Sequence, residues 1–307
     1  MTNIELLEKK AAELGCKVFP NEEMKKHTTF KIGGNSLSLI EIADLSVCSD
    51  LIKICTENNI KYHILGKGSN LIIDDKGVNA VFFKLAENSI SLKENNTIIC
   101  SAGVSLSRLC SFALENNLTG LEFAYGIPGS VGGAVYMNAG AYGGEIKDLI
   151  VSATALSTDG LIYEIDNEAM ELSYRKSAFM DNNDLILYAE FKLEKGNPAE
   201  IKEKMDELME KRRSKQPLEY PSAGSTFKRP EGSFASLLID QCGLKGLSVG
   251  DAEVSTKHSG FVINKGNATF DDLMKLIAKV RDIVKEKTGY VLECEPEIIS
   301  DREEYRK

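Results

Sequence analysis

Hydrophobic positions along this chain fall into short strand-like runs interleaved with amphipathic helices, a pattern that predicts an α+β fold and not a regular βαβ array. A helix is predicted near Ile4–Leu14, then a strand over Leu37–Ile42 and a helix near Val47–Asn58. The strand His63–Leu65 leads into a glycine loop, and strands Leu71–Ile73 and Ala80–Leu85 complete the first segment. The second segment carries strand-like runs Ile90–Leu92, Thr97–Ser101, Ile150–Leu156, Leu161–Ile165 and Leu185–Leu193, with a helix near Leu106–Asn116. Asn197, Pro198 and Glu200 make a capping-box-like start for a linking helix over 198–216, with Ile201, Met205, Leu208 and Met209 on one stripe. Pro217 and Pro221 end it. Beyond lie a short helix Phe234–Cys242 stopped by Gly243, a strand Gly260–Asn264, and a long helix from a Thr269 cap to Gly289. The expected division is 1–86 and 87–197 as two lobes, then 198–307 as a C-terminal domain.

The densest departure from this patterning is the stretch 126–144, GIPGSVGGAVYMNAGAYGG, with seven glycines in nineteen positions. A second glycine loop precedes it, formed by Gly66, Lys67, Gly68, Ser69, Asn70 and Leu71. Neither fits the Walker pattern or the Rossmann GxGxxG turn with its acidic ribose ligand. Two loops this poor in side chains would let backbone N–H groups close on one extended anion, such as a dinucleotide pyrophosphate. The bland reading of each is a tight turn, harder to sustain for the long stretch, since hairpins rarely use so much glycine.

Composition narrows the field. The 307 residues allow two or three domains, and 43% hydrophobic with 27% charged residues is ordinary globular usage. No window resembles a membrane helix, and the amphipathic acidic start is unlike a secretion signal, so a cytoplasmic protein is expected. Seven cysteines without a CxxC pair fit reduced thiols. Three isolated histidines (His27, His63, His258) make a protein-bound metal unexpected. A net charge of -9 argues against nucleic acid and requires a local basic cluster for any anionic substrate. Lys228-Arg229 and Lys257-His258 are the candidates.

Three clusters place polar groups among residues that look packed. Arg175, in Ser173-Tyr-Arg-Lys-Ser, can clamp a carboxylate bidentately or simply bridge backbone carbonyls. Ser225 follows Gly224, outside any GxSxG elbow, so proton donation to a basic carbanion suits it better than nucleophilic attack; a turn serine is the alternative. Glu293, Glu295 and Glu297 alternate at strand spacing and would share a face, raising the pKa of any that is buried, or form a solvated acidic edge.

The order of these pieces resembles the family of UDP-N-acetylenolpyruvoylglucosamine reductases (UDP-N-acetylmuramate dehydrogenases), bacterial flavoenzymes of peptidoglycan precursor synthesis. The resemblance runs from about Thr28 to Ile299. It rests on HTTFKIGG (27–34), GKGSNLII (66–73), GIPGSVGGAVYMNAGAYGGEI (126–146), YRKSAF (174–179), GSTFKRP (224–230), CGLKG (242–246), AEVSTKHSGFVIN (252–264) and LECE (292–295). It implies a vanillyl-alcohol-oxidase-type FAD-binding region of two α+β lobes with a C-terminal α+β substrate domain, in the short second structural class of the family.

The resemblance further implies FAD held by Gly66, Lys67, Gly68, Ser69, Asn70 and Leu71 and by Gly126, Pro128, Gly129, Ser130, Val131, Gly133 and Ala134. NADPH would reduce the flavin, and the enolpyruvyl ether of UDP-N-acetylglucosamine enolpyruvate would be reduced to UDP-N-acetylmuramate. Carried over by motif, Ser225 is the proton donor, Arg175 the catalytic arginine and Glu295 the catalytic glutamate, with Tyr174, Lys228 and Arg229 at the substrate. The family reads Glu-Val-Arg or Glu-Ile-Lys at the last acid, whereas Pro296-Glu297 follows here; counting from Gly289 selects Glu295, and a two-residue slip would select Glu297. A monomer without membrane or nucleic-acid partners is expected. The alternatives are an oxygen-dependent FAD oxidase of the same fold acting on a hydroxy acid or sugar, and a non-catalytic flavin binder.

Overall fold

The computed structural model describes residues 1–305. The chain forms two compact units, and it visits the second three times. The first unit comprises Met1–Asn21, Leu37–Lys67 and Ala80–Lys211; the second comprises Glu22–Ser36, Gly68–Asn79 and Arg212–Lys307. Each unit has its own hydrophobic core.

Two larger sheets and two two-stranded ones build the first unit. In the four-stranded one, Ser36–Ile42 and Val78–Leu85 are the inner strands, flanked by Lys17–Pro20 and Tyr62–Leu65. Tyr62–Leu65 runs parallel to Val78–Leu85, and Lys17–Pro20 runs antiparallel to Ser36–Ile42. The apolar run Val81, Phe82 and Phe83 is buried on both faces, as an inner strand requires. The five-stranded sheet is antiparallel, in the order Ile162–Asp166, Ile150–Leu156, Leu185–Lys192, Thr97–Ser101, Ile90–Leu92. The linking helix, Pro198–Lys215, buries Ile201, Met205 and Leu208 in the first core. Its apolar stripe therefore belongs with the lobes, although the patterning had grouped this helix with the C-terminal segment.

The second unit packs the helices Ala235–Gln241 and Phe270–Thr288 with a small antiparallel sheet of Ser248–Val249, Ala252–Val254 and Val262–Asn264. The long helix begins with a reciprocal capping box between Thr269 and Asp272 and ends on left-handed Gly289. Its inward face (Leu273, Leu276, Ile277, Val280, Val284) meets Phe30, Ile32 and Ile72 in one core. Early segments enter this unit because Glu297–Ile299 pairs in parallel with Leu71–Ile73.

Arg302 locks that pairing. Its Nη2 donates to Asp74 Oδ1 at 2.7 Å and its Nε lies 2.7 Å from Asp74 Oδ2, while Nη1 reaches Asp271. Ser300 Oγ donates to the same Asp74 carboxylate at 2.6 Å. Asp74 is 1% exposed, so losing its cation would leave a buried charge uncompensated. Arg302→Ala should therefore lower unfolding stability by about 3 kcal/mol in a denaturant titration, with Asp74→Asn in the same chain restoring part of the loss. A change within the roughly 0.5 kcal/mol of an ordinary surface substitution would show that the pair is not a lock.

Candidate active site

The first glycine loop turns at Gly68, whose φ is +61°. A Cβ there would stand 2.0 Å from the His27 carbonyl oxygen, so glycine is required by both conformation and space. The close approach is held by Thr29, whose N–H donates to the Gly68 carbonyl at 3.0 Å. Among the described residues, the N–H groups of Lys67, Gly68 and Ser69 donate to no protein acceptor. Successive N–H groups around a left-handed glycine are the geometry of an anion-binding nest.

The long glycine stretch is not the open loop that its composition suggests. Val131–Tyr136 forms a short helix with Ser130 as its N-cap. The N–H of Val131 donates to Val104, that of Gly132 to Ala102 and that of Ala134 to Ser130. Of the expected backbone donors, Val131 and Ala134 are thus already bound within the protein, as is Gly129, whose N–H donates to the Ile127 carbonyl at 2.9 Å, while Pro128 has no N–H to offer. Gly126 and buried Ser130 keep N–H groups that donate to no acceptor among the described residues. Gly133 is exposed, and Gly66 packs so closely that an added Cβ would come within 2.4 Å of Ser130 Oγ. Within the first unit Gly66 therefore packs against Ser130, and Lys67, Gly126 and Ser130 carry the unspent N–H groups of these two segments. These residues fit a dinucleotide pyrophosphate.

Arg175 sits in the first unit at the second position of a two-residue turn, with φ +54°. Ser173 and Lys176 close the turn with reciprocal backbone bonds of 3.1 and 3.2 Å. The guanidinium lies over the Tyr174 ring, 5.2 Å from its centroid. A left-handed conformation in a non-glycine residue costs of order 1 kcal/mol or more and persists only where its surroundings enforce it. Two anchors do so here: Ser177 Oγ donates to the Tyr136 carbonyl at 2.7 Å, and Asn138 Nδ2 donates to the Ser173 carbonyl at 3.0 Å.

Ser225 and Glu295 lie together in the second unit. Ser225 follows left-handed Gly224 and precedes buried Thr226. Thr226 holds the segment with three bonds: its N–H to Gly260, its Oγ1 from Val262, and its carbonyl from the Glu295 N–H at 2.9 Å. Phe227 and Cys294 form an antiparallel bridge beside it. Ser225 and Glu295 are thereby carried on two adjacent, hydrogen-bonded segments.

The three acids do not share one regular strand face. Glu293 is exposed with Lys228 Nζ at 3.7 Å, Glu295 and Glu297 are half-buried, and the ladder begins only at Glu297, after Pro296. Proline has no N–H to continue a ladder, which the alternation alone did not reveal. The Glu297 N–H donates to the Asn70 carbonyl at 2.9 Å, tying this segment to the first glycine loop. Arg229 is exposed, stacked 4.9 Å from the Phe234 ring centroid.

Lys257 and His258 are engaged within the protein. Lys257 Nζ donates to the Arg213 carbonyl at 2.8 Å and lies 3.4 Å from Glu219. Burial depresses the His258 pKa, and its Nδ1 accepts the Gly260 N–H at 3.1 Å. Sequence reasoning also passed over Asn138 and Ser177, both buried; the polar residues inside an otherwise apolar and glycine-rich stretch were the available signal. No group of His, Cys, Asp and Glu among the described residues could hold a metal ion, and no helix is long and apolar enough to cross a membrane.

Fold and site define a flavin-dependent oxidoreductase. Residues 38–166 match the FAD binding domain family, and residues 216–299 match the family described as UDP-N-acetylenolpyruvoylglucosamine reductase, C-terminal domain. The UDP-N-acetylenolpyruvoylglucosamine reductase of Clostridium kluyveri is 51% identical over 92% of this chain and 92% of its own. That of Clostridium novyi is 50% identical over the same shares. The crystal structure of the reductase from Thermus caldophilus superposes with a TM-score of 0.79 at 34% identity, covering 93% of this chain and 99% of the other. The chain belongs to the UDP-N-acetylenolpyruvoylglucosamine reductase family.

Gly68→Ala should yield protein that retains far less flavin after purification, because the backbone of His27 must move by more than an ångström; unchanged flavin absorbance would contradict the cradle. His258 gives a pH prediction. The folded state disfavours its protonated form, so the unfolded state binds more protons below about pH 6.5. Stability should fall as pH drops below that value, and His258→Asn should flatten this part of the profile; an unaltered slope would assign it to other groups.

Proposed function

We propose that this chain reduces UDP-N-acetylglucosamine enolpyruvate to UDP-N-acetylmuramate with NADPH, in the cytoplasm and as a monomer, during peptidoglycan precursor synthesis. Family membership over 92% of the chain supports the reaction. The observation that carries the residue roles is the Glu295-to-Thr226 backbone bond, which sets a hydroxyl and a carboxyl on adjacent segments. When bound, FAD supplies hydride chemistry, drawing its electrons from NADPH.

The protein's own residues manage the charge and the proton. Reduction of the enolpyruvyl double bond puts negative charge on the carbon bearing the carboxylate. Arg175 binds that carboxylate through its planar fork of donors, and a protonated Glu295 hydrogen-bonds the enolate-like oxygens as charge accumulates there. Ser225 gives its proton to the carbanionic carbon, which an alcohol can do only to so basic a partner. The N–H groups of the two glycine segments hold the FAD pyrophosphate. Tyr174 lines the substrate and supports Arg175 from below its guanidinium, and Lys228 and Arg229 approach the nucleotide phosphates.

Purified protein should be yellow, bleached by NADPH and restored by the enolpyruvyl sugar nucleotide, with only slow reoxidation by air. Fast air oxidation without that substrate would favour the oxidase reading. Ser225→Ala should leave flavin reduction by NADPH intact and slow the second half-reaction by about 10²- to 10⁴-fold in stopped-flow absorbance. Equal loss in both halves would remove Ser225 from the role of proton donor.

A further inference from the structure

The glycine-rich stretch contains a residue to which the chemistry above gives no part. Asn138 is 1% exposed and has a φ of +40°, a left-handed conformation that asparagine tolerates better than most side chains. Its side-chain amide is fully engaged. Nδ2 donates to the Ser173 carbonyl at 3.0 Å and to Glu145 Oε2 at 2.9 Å, and Oδ1 accepts the Lys147 N–H at 2.9 Å. Only a primary amide offers two donors and an acceptor in this arrangement; an aspartate would offer acceptors alone, beside another carboxylate.

The Ser173 carbonyl is the first residue of the strained turn that carries Arg175, closed by the Ser173–Lys176 bonds. The other end of the turn is pinned by Ser177 to the Tyr136 carbonyl. Both anchors thus run to the C-terminal end of the short helix Val131–Tyr136, whose N-cap Ser130 packs against Gly66. Glu145 reports the same neighbourhood. Burial pushes its carboxyl up, but hydrogen bonds from Lys147 and Asn138 and the charges of Lys147 and Arg175 together outweigh this and hold it below the usual range. Arg175 therefore lies near enough to feel the carboxylate that Asn138 also holds.

We infer that Asn138 is a positioning residue for the reaction: its amide fixes the Tyr174–Arg175 turn to the end of the glycine-rich helix and so aims the guanidinium at the substrate carboxylate. The inference rests on the proposed role of Arg175. It assigns to the asparagine a connection between the cofactor-holding segment and the carboxylate clamp, made without touching either ligand.

The test is Asn138→Asp, read by two measurements. The first is equilibrium binding, followed by perturbation of the oxidised flavin spectrum, of UDP-N-acetylmuramate and of UDP-N-acetylglucosamine, which lacks the lactyl carboxylate. The expected result is about tenfold weaker binding of the carboxylate-bearing ligand with little change for the other, each tenfold corresponding to about 1.4 kcal/mol. The second is the pair of half-reactions, where flavin reduction by NADPH should be retained and reduction of the enolpyruvyl ether slowed roughly a hundredfold, the usual effect of an ångström-scale misplacement. Asn138→Gly, which accepts the left-handed backbone but lacks the amide, should show the same selectivity if the aspartate variant does not fold. Equal weakening of both ligands, or parallel loss of both half-reactions, would make Asn138 a general structural prop and overturn the inference, as would behaviour like the parent protein. Arg175→Ala separates the two claims. If it leaves carboxylate discrimination intact, the role of Arg175 falls; if it abolishes discrimination while the Asn138 variants keep it, only the positioning role falls.

Discussion

The parallel pairing of Glu297–Ile299 with Leu71–Ile73 is the constraint on which the second unit's geometry depends. It joins two segments far apart in sequence, and each of them abuts candidate site residues. On one strand, Asn70 and the rest of the first glycine loop come immediately before the pairing; on the other, Glu295 comes two positions before it. The Glu297–Asn70 backbone bond ties that register to the glycine loop. Glu295 lies outside the ladder and is held separately, by its N–H bond to the Thr226 carbonyl. The buried Asp74–Arg302 pair and Ser300 close the far end of the same ladder.

In each unit, short hydrogen bonds and close packing pin the main chain beside the candidate residues. Thr226 is held at three points, Gly68 is wedged against His27, and the Arg175 turn is stapled at both ends. The side chains proposed to act on substrate project from segments whose main chain is hydrogen-bonded in place. Such preorganisation lets a guanidinium or hydroxyl stabilise developing charge without first rearranging.

Much of this was legible in the residues. The strands Leu71–Ile73, Ile90–Leu92, Thr97–Ser101 and Ile150–Leu156 fall where periodicity puts them, and the caps Thr269 and Gly289 bound the long helix as their chemistry requires. The two glycine segments and the Arg175, Ser225 and Glu295 motifs also stood out, because glycine and isolated polar groups in apolar surroundings are local signals. What stayed hidden was non-local. Val131–Tyr136 is helical despite two glycines, since the Ser130 cap and carbonyls of Ala102 and Val104 hold it there. Lys257 and His258 look like an anion site in one dimension, but Glu219, the Arg213 carbonyl and burial engage them in three. Asn138 was conspicuous as a polar residue in apolar surroundings, but its bond to Ser173, thirty-five positions on, was not legible.

The interleaved path of the chain has a consequence for its synthesis. Phe30, Ile32 and Ile72 leave the ribosome early, yet the core that buries them is made of residues 223–292, which emerge last. The first unit can condense once Lys211 is out, whereas those three apolar side chains must wait in water or in the grip of a chaperone. A stalled or prematurely terminated chain would therefore display them as a sticky surface.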